Sequence, residues 1–134
     1  MAVRIDNVVR NTRVDAILNA VDAGATGGFV RVYSGSKPVT KGAAPAGLLL
    51  ADILLADPCG ASTGGVLTIT TPRTDTSANN SGTASFFYLV DSTGAFVCDG
   101  DVAVSGSDLN VTTTTIVAGQ PVEITSLTIT DGNN

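Results

Sequence analysis

The sequence predicts an all-β fold, a jelly-roll-like β-sandwich of seven to eight strands with one N-terminal helix or arm. Short segments alternate apolar and polar residues with a period of two, which is typical of strands with one buried face. Turn-forming residues separate these segments about every ten residues, a spacing that favours a sandwich or small barrel. With 134 residues, 43% hydrophobic and 14% charged, the chain is long and apolar enough for one core.

Only the beginning of the chain has a helical pattern. We predict a helix over residues 6–23, with Asp6 as its N-cap and Gly24 as the residue that stops it. The glycine-rich residues that follow Gly24 predict a flexible joint. The chain is therefore expected to consist of an N-terminal helix or arm with its joint (residues 1–28) and a β-sandwich domain (residues 29–134).

The first two strands are predicted from different patterns. Residues 29–33 alternate cleanly, with Val30 and Val32 on one face. Residues 48–55 are apolar on both faces except at Asp52, a pattern that a short buried helix would also fit. The glycines and prolines around this segment favour a strand.

The middle of the chain alternates strands with polar connections. Residues 66–71 alternate and predict a third strand, whereas residues 56–65 and 73–83 predict loops because of their turn-forming composition. Residues 84–91 predict a further strand, with large apolar side chains on both faces.

Three strands are predicted in the last third of the chain. Within residues 95–104, the even positions from Phe96 to Val104 share one inward parity, which favours a single strand over two short arms joined at residues 99–100. Residues 109–117 predict the next strand. In the last strand, residues 122–130, the apolar parity changes between Ile124 and Leu127, so we predict a bulge there, near the Thr-Ser pair that lies between them.

The composition argues against an enzyme. The chain has no His, which excludes catalytic triads and zinc sites that depend on imidazole. Its two cysteines, Cys59 and Cys98, are expected to be reduced, although a disulfide between them stays an alternative. We therefore predict no catalytic residues, no cofactor and no metal ion.

The charge of the chain is unevenly distributed. Six of the seven basic residues lie within residues 1–41, although the net charge of the whole chain is −5. This segment predicts an arm in which Arg4, Arg10 and Arg13 dock on an acidic partner; the alternative is a helix whose arginines face water. The acidic body argues against direct nucleic-acid binding. No apolar run is long enough for a membrane span, and synthesis in the cytoplasm is expected.

Two segments carry more apolar surface than one core can bury. Residues 48–55 and 84–91 are apolar on both faces, so the second face must be covered by the N-terminal helix or by another chain. We predict that a neighbouring subunit covers part of it. The interface candidates on these strands are Leu49, Ile53, Phe87 and Leu89.

Four stretches carry a family resemblance: Phe29–Pro38, Ala43–Ala51, Val90–Ala95 and Ala118–Val122. In pattern and turn placement they resemble the capsid decoration, or cement, proteins of tailed bacteriophages. The resemblance implies a small β-sandwich or jelly-roll module on the head shell, often a trimer, without an active site.

This resemblance implies a function for the chain. The expected role is a virion structural protein on the capsid surface, which binds the major capsid protein and stabilises the shell through contacts at subunit seams. A tail, baseplate or fibre-associated module is the alternative. We further expect that deletion of residues 1–24 weakens attachment to the shell but leaves the sandwich folded.

Overall fold

A computed structural model describes residues 3–130 and confirms an all-β, sandwich-like fold with one N-terminal helix. The elements are α1 (Asn7–Val21), β1 (Phe29–Tyr33), β2 (Leu49–Leu54), β3 (Gly60–Thr63), β4 (Val66–Ile69), β5 (Arg73–Asp75), β6 (Gly82–Thr83), β7 (Phe86–Val90), β8 (Phe96–Ala103), β9 (Leu109–Val111), β10 (Thr115–Ile116) and β11 (Val122–Thr130).

The larger of two sheets curls around the core. Its strand order is β2-β1-β7-β8-β9-β11-β4-β3, and β5 pairs with the first half of β11. All its pairs are antiparallel except β8 with β9. The core that this sheet encloses is called the inner core below. Its largest fully buried side chains are Leu50, Ile53, Leu55, Leu67, Ile69, Phe87, Leu89, Leu109, Ile124 and Leu127.

The strands at the end of the chain agree with the sequence pattern. Strand β8 is a single strand, and the register of β11 shifts between Ile124 and Ser126, which confirms the predicted bulge. The bulge turns both Ile124 and Leu127 into the core, since an extra residue restores the inward parity.

The structure has more strands than the sequence predicts. Strands β3 and β4 form a hairpin, and its first strand and turn lie within residues 56–65, which the sequence predicts to be a loop. Its two turn residues, Gly64 and Gly65, have φ of 60° and 80°, and a two-residue turn of this kind needs positive φ at both positions. Strands β5 and β6 lie in the second expected loop, and the strand expected over 109–117 divides into β9 and β10.

Strand β5 closes the curled sheet against β2 through side chains instead of a backbone ladder. The backbone amide of Asp52 donates to Asp75 Oδ2 at 3.0 Å, and Arg73 Nε donates to the Leu54 carbonyl oxygen at 2.8 Å. In the loop after β5, the backbone amide of Asn79 donates to the Leu50 carbonyl oxygen at 2.8 Å. The edge of β2 is thereby occupied, which protects it from pairing with another chain.

Helix α1 is fixed to the β3–β4 hairpin. Asp6 caps its N-terminus by accepting from the Val8 amide at 2.9 Å, as predicted. Asn11 Oδ1 accepts from the Gly65 amide at 2.7 Å, and Asp15 Oδ1 accepts from the Ser62 hydroxyl at 2.6 Å. These hydrogen bonds hold one side of the helix on the hairpin.

The connection after the helix is packed and differs from the expected flexible joint. Gly28 is buried, and a Cβ there would overlap the Val90 carbonyl oxygen. Val14 and Val21 of α1 belong to the inner core, so the helix and the sheet share one core. Deletion of residues 1–24 would remove both valines from this core, so we expect it to destabilise the sandwich.

Candidate interaction surface

The side of the sheet that faces away from the inner core carries a second hydrophobic cluster. It lies on β1, β7 and β8, where alternate residues point outward because side chains alternate along a strand. It holds five of the six aromatic residues of the chain. We call it the aromatic face, and its members are Phe29, Tyr33, Phe86, Tyr88, Val90 and Phe96.

Four of the five rings of the aromatic face contact one another in one cluster. Tyr33 stacks on Phe86 with ring centroids 5.3 Å apart, and Tyr88 meets Phe96 edge to face at 4.9 Å. Edge contacts of Tyr88 with Phe86 and with Tyr33 connect the two pairs. Burial raises the pKa of both tyrosine hydroxyls.

The segment between β1 and β2, residues 34–48, covers this face and is called the strap. Its ends are held together, because the Ser34 amide donates to the Leu48 carbonyl oxygen at 3.1 Å and the Leu48 amide donates to Ser34 Oγ at 3.1 Å. Gly35 has φ of 83°, a conformation that favours glycine, and lets the chain turn away from β1. The strap is thus a compact loop with its ends close together.

Three contacts hold the strap down on the aromatic face. The Tyr88 hydroxyl donates to the Ala43 carbonyl oxygen at 2.7 Å. Lys37 Nζ lies 3.8 Å from Asp99 Oδ1 and 3.6 Å from Asp101 Oδ1 on β8. A Cβ on Gly42 would lie 3.3 Å from the Phe96 ring, so the strap backbone approaches this ring closely.

An ion pair lies on the same side of β1 and β2. Arg31 Nε is 3.5 Å from Asp52 Oδ1, on residues that pair across the two strands. Burial raises the pKa of Asp52, and the positive charge of Arg31 opposes this rise. Since both groups are about two-thirds buried, their desolvation offsets much of their attraction.

The predicted interface residues Phe87, Leu89 and Ile53 are buried in the inner core of a single chain. Their exposed fractions are 1%, 0% and 0%, so they offer no surface to a neighbouring subunit. That part of the interface prediction is wrong. The strap of the same chain covers the other side of β7, and no second subunit is needed to bury either side of this strand.

The remaining interface candidates lie at or near the surface. Leu49 is half-buried and pairs with Tyr33 across β1 and β2. Arg4 and Arg13 are exposed, whereas Arg10 is half-buried and its guanidinium packs against the backbone of Gly65. Leu49 begins β2, whereas Arg10 and Arg13 lie on helix α1 and Arg4 precedes it, so the structure places these candidates on different elements.

Two aliphatic side chains of the strap are exposed. Val39 is fully exposed at 104%, and Leu48 at the end of the strap is 55% exposed. We call these two residues the strap patch. Aliphatic side chains that stay exposed beside a well-packed sheet are candidates for contact with another protein.

The two thiols are unsuited to chemistry. Both cysteines are free, so the alternative of a disulfide is not realised. Burial raises the pKa of Cys59 to about 12 and that of Cys98 to about 11, and thiols in this state are weak nucleophiles and weak metal ligands. Within residues 3–130, no cluster of three or more acidic or cysteine side chains is placed to hold a metal ion.

Comparisons with protein-family models, with curated proteins and with solved structures find no match for the chain. In the part of the chain that the structure describes, no helix has the length and apolar character needed to cross a membrane.

Proposed function

We propose that the chain is a structural protein of a tailed-bacteriophage virion, a decoration protein that binds the outer surface of the head shell. In this role the strap patch contacts the major capsid protein, and copies of the chain assemble as a trimer. The observation that supports the proposal best is the exposure of two aliphatic side chains, Val39 and Leu48, on one loop of the β-sandwich.

The segments that resemble decoration proteins support the same surface. Phe29–Pro38 and Ala43–Ala51 include β1, most of the strap and the beginning of β2. Val90–Ala95 forms the turn beside Arg31, since a Cβ on Gly94 would lie 3.4 Å from the Arg31 guanidinium. The resemblance therefore falls mainly on the side of the fold that carries the strap patch.

The energetics of the strap patch suit repeated weak binding. Complete burial of one aliphatic side chain contributes roughly 1.5–3 kcal/mol, so the two side chains of the strap patch contribute a few kcal/mol per copy before the costs of association. Such a contact is weak for one copy. On a shell, several linked copies bind together, and multivalency raises the overall affinity by orders of magnitude.

The test is co-sedimentation of the purified chain with heads of the phage that encodes it. We expect saturable binding by the native chain and a loss of at least about tenfold in affinity for the double variant Val39→Asp/Leu48→Asp, which charges the strap patch. Val8→Asp is the matched control, because Val8 is 72% exposed but lies on helix α1. This control should bind as the native chain does.

Three results would contradict the proposal. Absence of binding to heads would exclude the capsid role, and labelling of tails instead of heads in electron micrographs would favour the tail or baseplate alternative. Equal binding by the native chain and by the strap-patch variant would exclude the strap patch as the contact surface.

A further inference from the structure

The curled sheet has a gap between β8 and β11, and the two strands line a cleft of about 160 Å³ there. One wall is β8, and the other is β11 from Thr128 to Thr130. Strand β8 pairs with β9 only at Val102 and Ala103, so β9 closes one end of the cleft. The cleft is large enough for a small ligand, since an apolar cavity of about 150 Å³ holds a molecule of the size of benzene.

The floor of the cleft is apolar. Phe87, Cys98 and Ile129 line it, and all three belong to the inner core or pack against it. A Cβ on Gly100 of β8 would lie 2.7 Å from the Phe87 ring, so this ring approaches the strand closely because the residue there has no side chain. An alkyl chain in the cleft would cover this partly buried apolar surface.

A carboxylate lies on the same side of β8 as the apolar floor. Asp108 directly precedes β9, at the closed end of the cleft, and its Oδ2 and the Phe87 ring both approach the position of a Cβ on Gly100, Oδ2 at 3.0 Å. Asp108 is exposed, and its carboxylate has no hydrogen bond or ion pair within residues 3–130. The other carboxylate of the lining, Asp99, has a counter-charge in Lys37 at 3.8 Å.

The electrostatic field in the cleft favours a positive charge. Burial raises the pKa of Cys98 to about 11, and the negative charges of Asp99 and Asp108 contribute to this rise. Both carboxylates therefore act on a group in the lining, and the same field would stabilise a cation. An organic cation suits this lining better than a metal ion, because the floor is apolar and no three acidic or cysteine side chains of the described residues are placed around a common point.

We propose that the cleft binds an alkylammonium cation with a chain of about four carbons, from a free diamine or from a lysine side chain of another protein. The ammonium group pairs with Asp108, and the alkyl chain lies along Phe87 and Ile129. A ligand of this kind has an apolar stem and a charged end, so it matches a floor and a carboxylate that share one side of the strand. The inference does not depend on binding to phage heads.

The test is a titration of the ¹⁵N-labelled full chain with 1,4-diaminobutane, followed by the amide chemical shifts. We expect saturable shifts at the residues that line the cleft, with a dissociation constant in the millimolar range that is typical of so small a ligand. Asp108→Asn should weaken binding by about fivefold. Asp101→Asn is the matched control, because Asp101 is an exposed carboxylate of the same strand that does not line the cleft, and this variant should bind within about twofold of the native chain.

A second titration distinguishes the two sources of the ligand. Lysine with blocked amino and carboxyl ends should bind as well as the diamine if the cleft receives a protein side chain, whereas binding of the diamine alone would assign the cleft to a free amine. 1-Butanol has the same chain length without the charge and should bind at least about fivefold more weakly than the diamine.

Circular dichroism of each variant checks that the fold is retained. Absence of saturable shifts in the cleft with both ammonium ligands overturns the proposal. It is also overturned if Asp108→Asn binds as the native chain does, or if Asp101→Asn loses as much affinity as Asp108→Asn, since equal losses would indicate an unspecific effect of net charge.

Discussion

Replacement of Phe86 by Ala tests whether the aromatic face is a second core of the single chain. Phe86 is 1% exposed, as is Phe87 on the opposite side of β7. Truncation of a buried Phe to Ala costs about 3–5 kcal/mol. Phe86 also stacks on Tyr33 and meets Tyr88 edge to face, and each such pair contributes about 0.5–1.5 kcal/mol beyond its buried area. We therefore expect Phe86→Ala to lower the free energy of unfolding by an amount near the upper end of the range for a buried Phe.

The assay is urea unfolding of monomeric protein, with Phe87→Ala as the matched control from the inner core. Both variants should lose about 3–5 kcal/mol in the free energy of unfolding, with thermal midpoints lower by roughly 10–15 °C. Phe86→Leu keeps most of the apolar volume and should lose clearly less, which gives a measurable value if the Ala variant is largely unfolded. A cost below about 0.5 kcal/mol for Phe86→Ala, beside a large cost for Phe87→Ala, would refute the reasoning, since that is typical of a surface position.

Two further predictions concern the packed connection and acid stability. Gly28→Ala should lower the free energy of unfolding in urea by about 3 kcal/mol, because the added methyl overlaps the Val90 carbonyl. The control Ala25→Ser, at an exposed position of the same connection, should change it by less than about 0.5 kcal/mol. Equally small effects of the two variants would indicate that the connection is flexible, as the sequence predicts. Hydrogen bonds from Thr93 and from backbone amides lower the pKa of Asp91, so this carboxylate stabilises the fold above its unfolded pKa, and the contribution is lost as the pH falls through the folded pKa. Asp91→Asn should therefore be less stable than the native chain at pH 7, and the difference should narrow below about pH 4; a difference that does not depend on pH would contradict this.

Local signals in the sequence are enough for several elements. Asp6 caps the N-terminus of the helix as predicted, because a capping carboxylate acts within the first turn, whereas the helix ends at Val21 with Asp22 as its C-cap, before the predicted stop at Gly24. The parity change between Ile124 and Leu127 gives the bulge, since alternation along a strand has a fixed period. These features depend on neighbours in sequence.

Other elements depend on contacts that the sequence pattern does not contain. The β3–β4 hairpin begins with Gly60–Thr63, four small or polar residues without an apolar alternation. Its strand character comes from pairing with β4, whereas its composition is typical of a loop.

The candidate surface was predicted on the wrong side of β7. A strand that is apolar on both sides carries no mark of which side faces the core, so Phe87 and Leu89 were assigned to an interface in place of Phe86 and Tyr88. The cover of the second side comes from the strap, about 45 residues away in sequence at its contact between Ala43 and Tyr88. The sequence does contain one signal for a second cluster, since aromatic residues are concentrated at the outward-facing alternate positions of β1 and β7.

The central claim is that the strap of the same chain closes the aromatic face, and the ultraviolet titration of the tyrosines in dilute monomer tests it most directly. The chain has only Tyr33 and Tyr88, so the difference between the native chain and Tyr88→Phe isolates the Tyr88 hydroxyl. We predict that burial holds the pKa of the Tyr88 hydroxyl above the ordinary value of about 10 at every protein concentration. Ionisation of Tyr88 near pH 10 in a folded monomer would show that the strap leaves this face open to water.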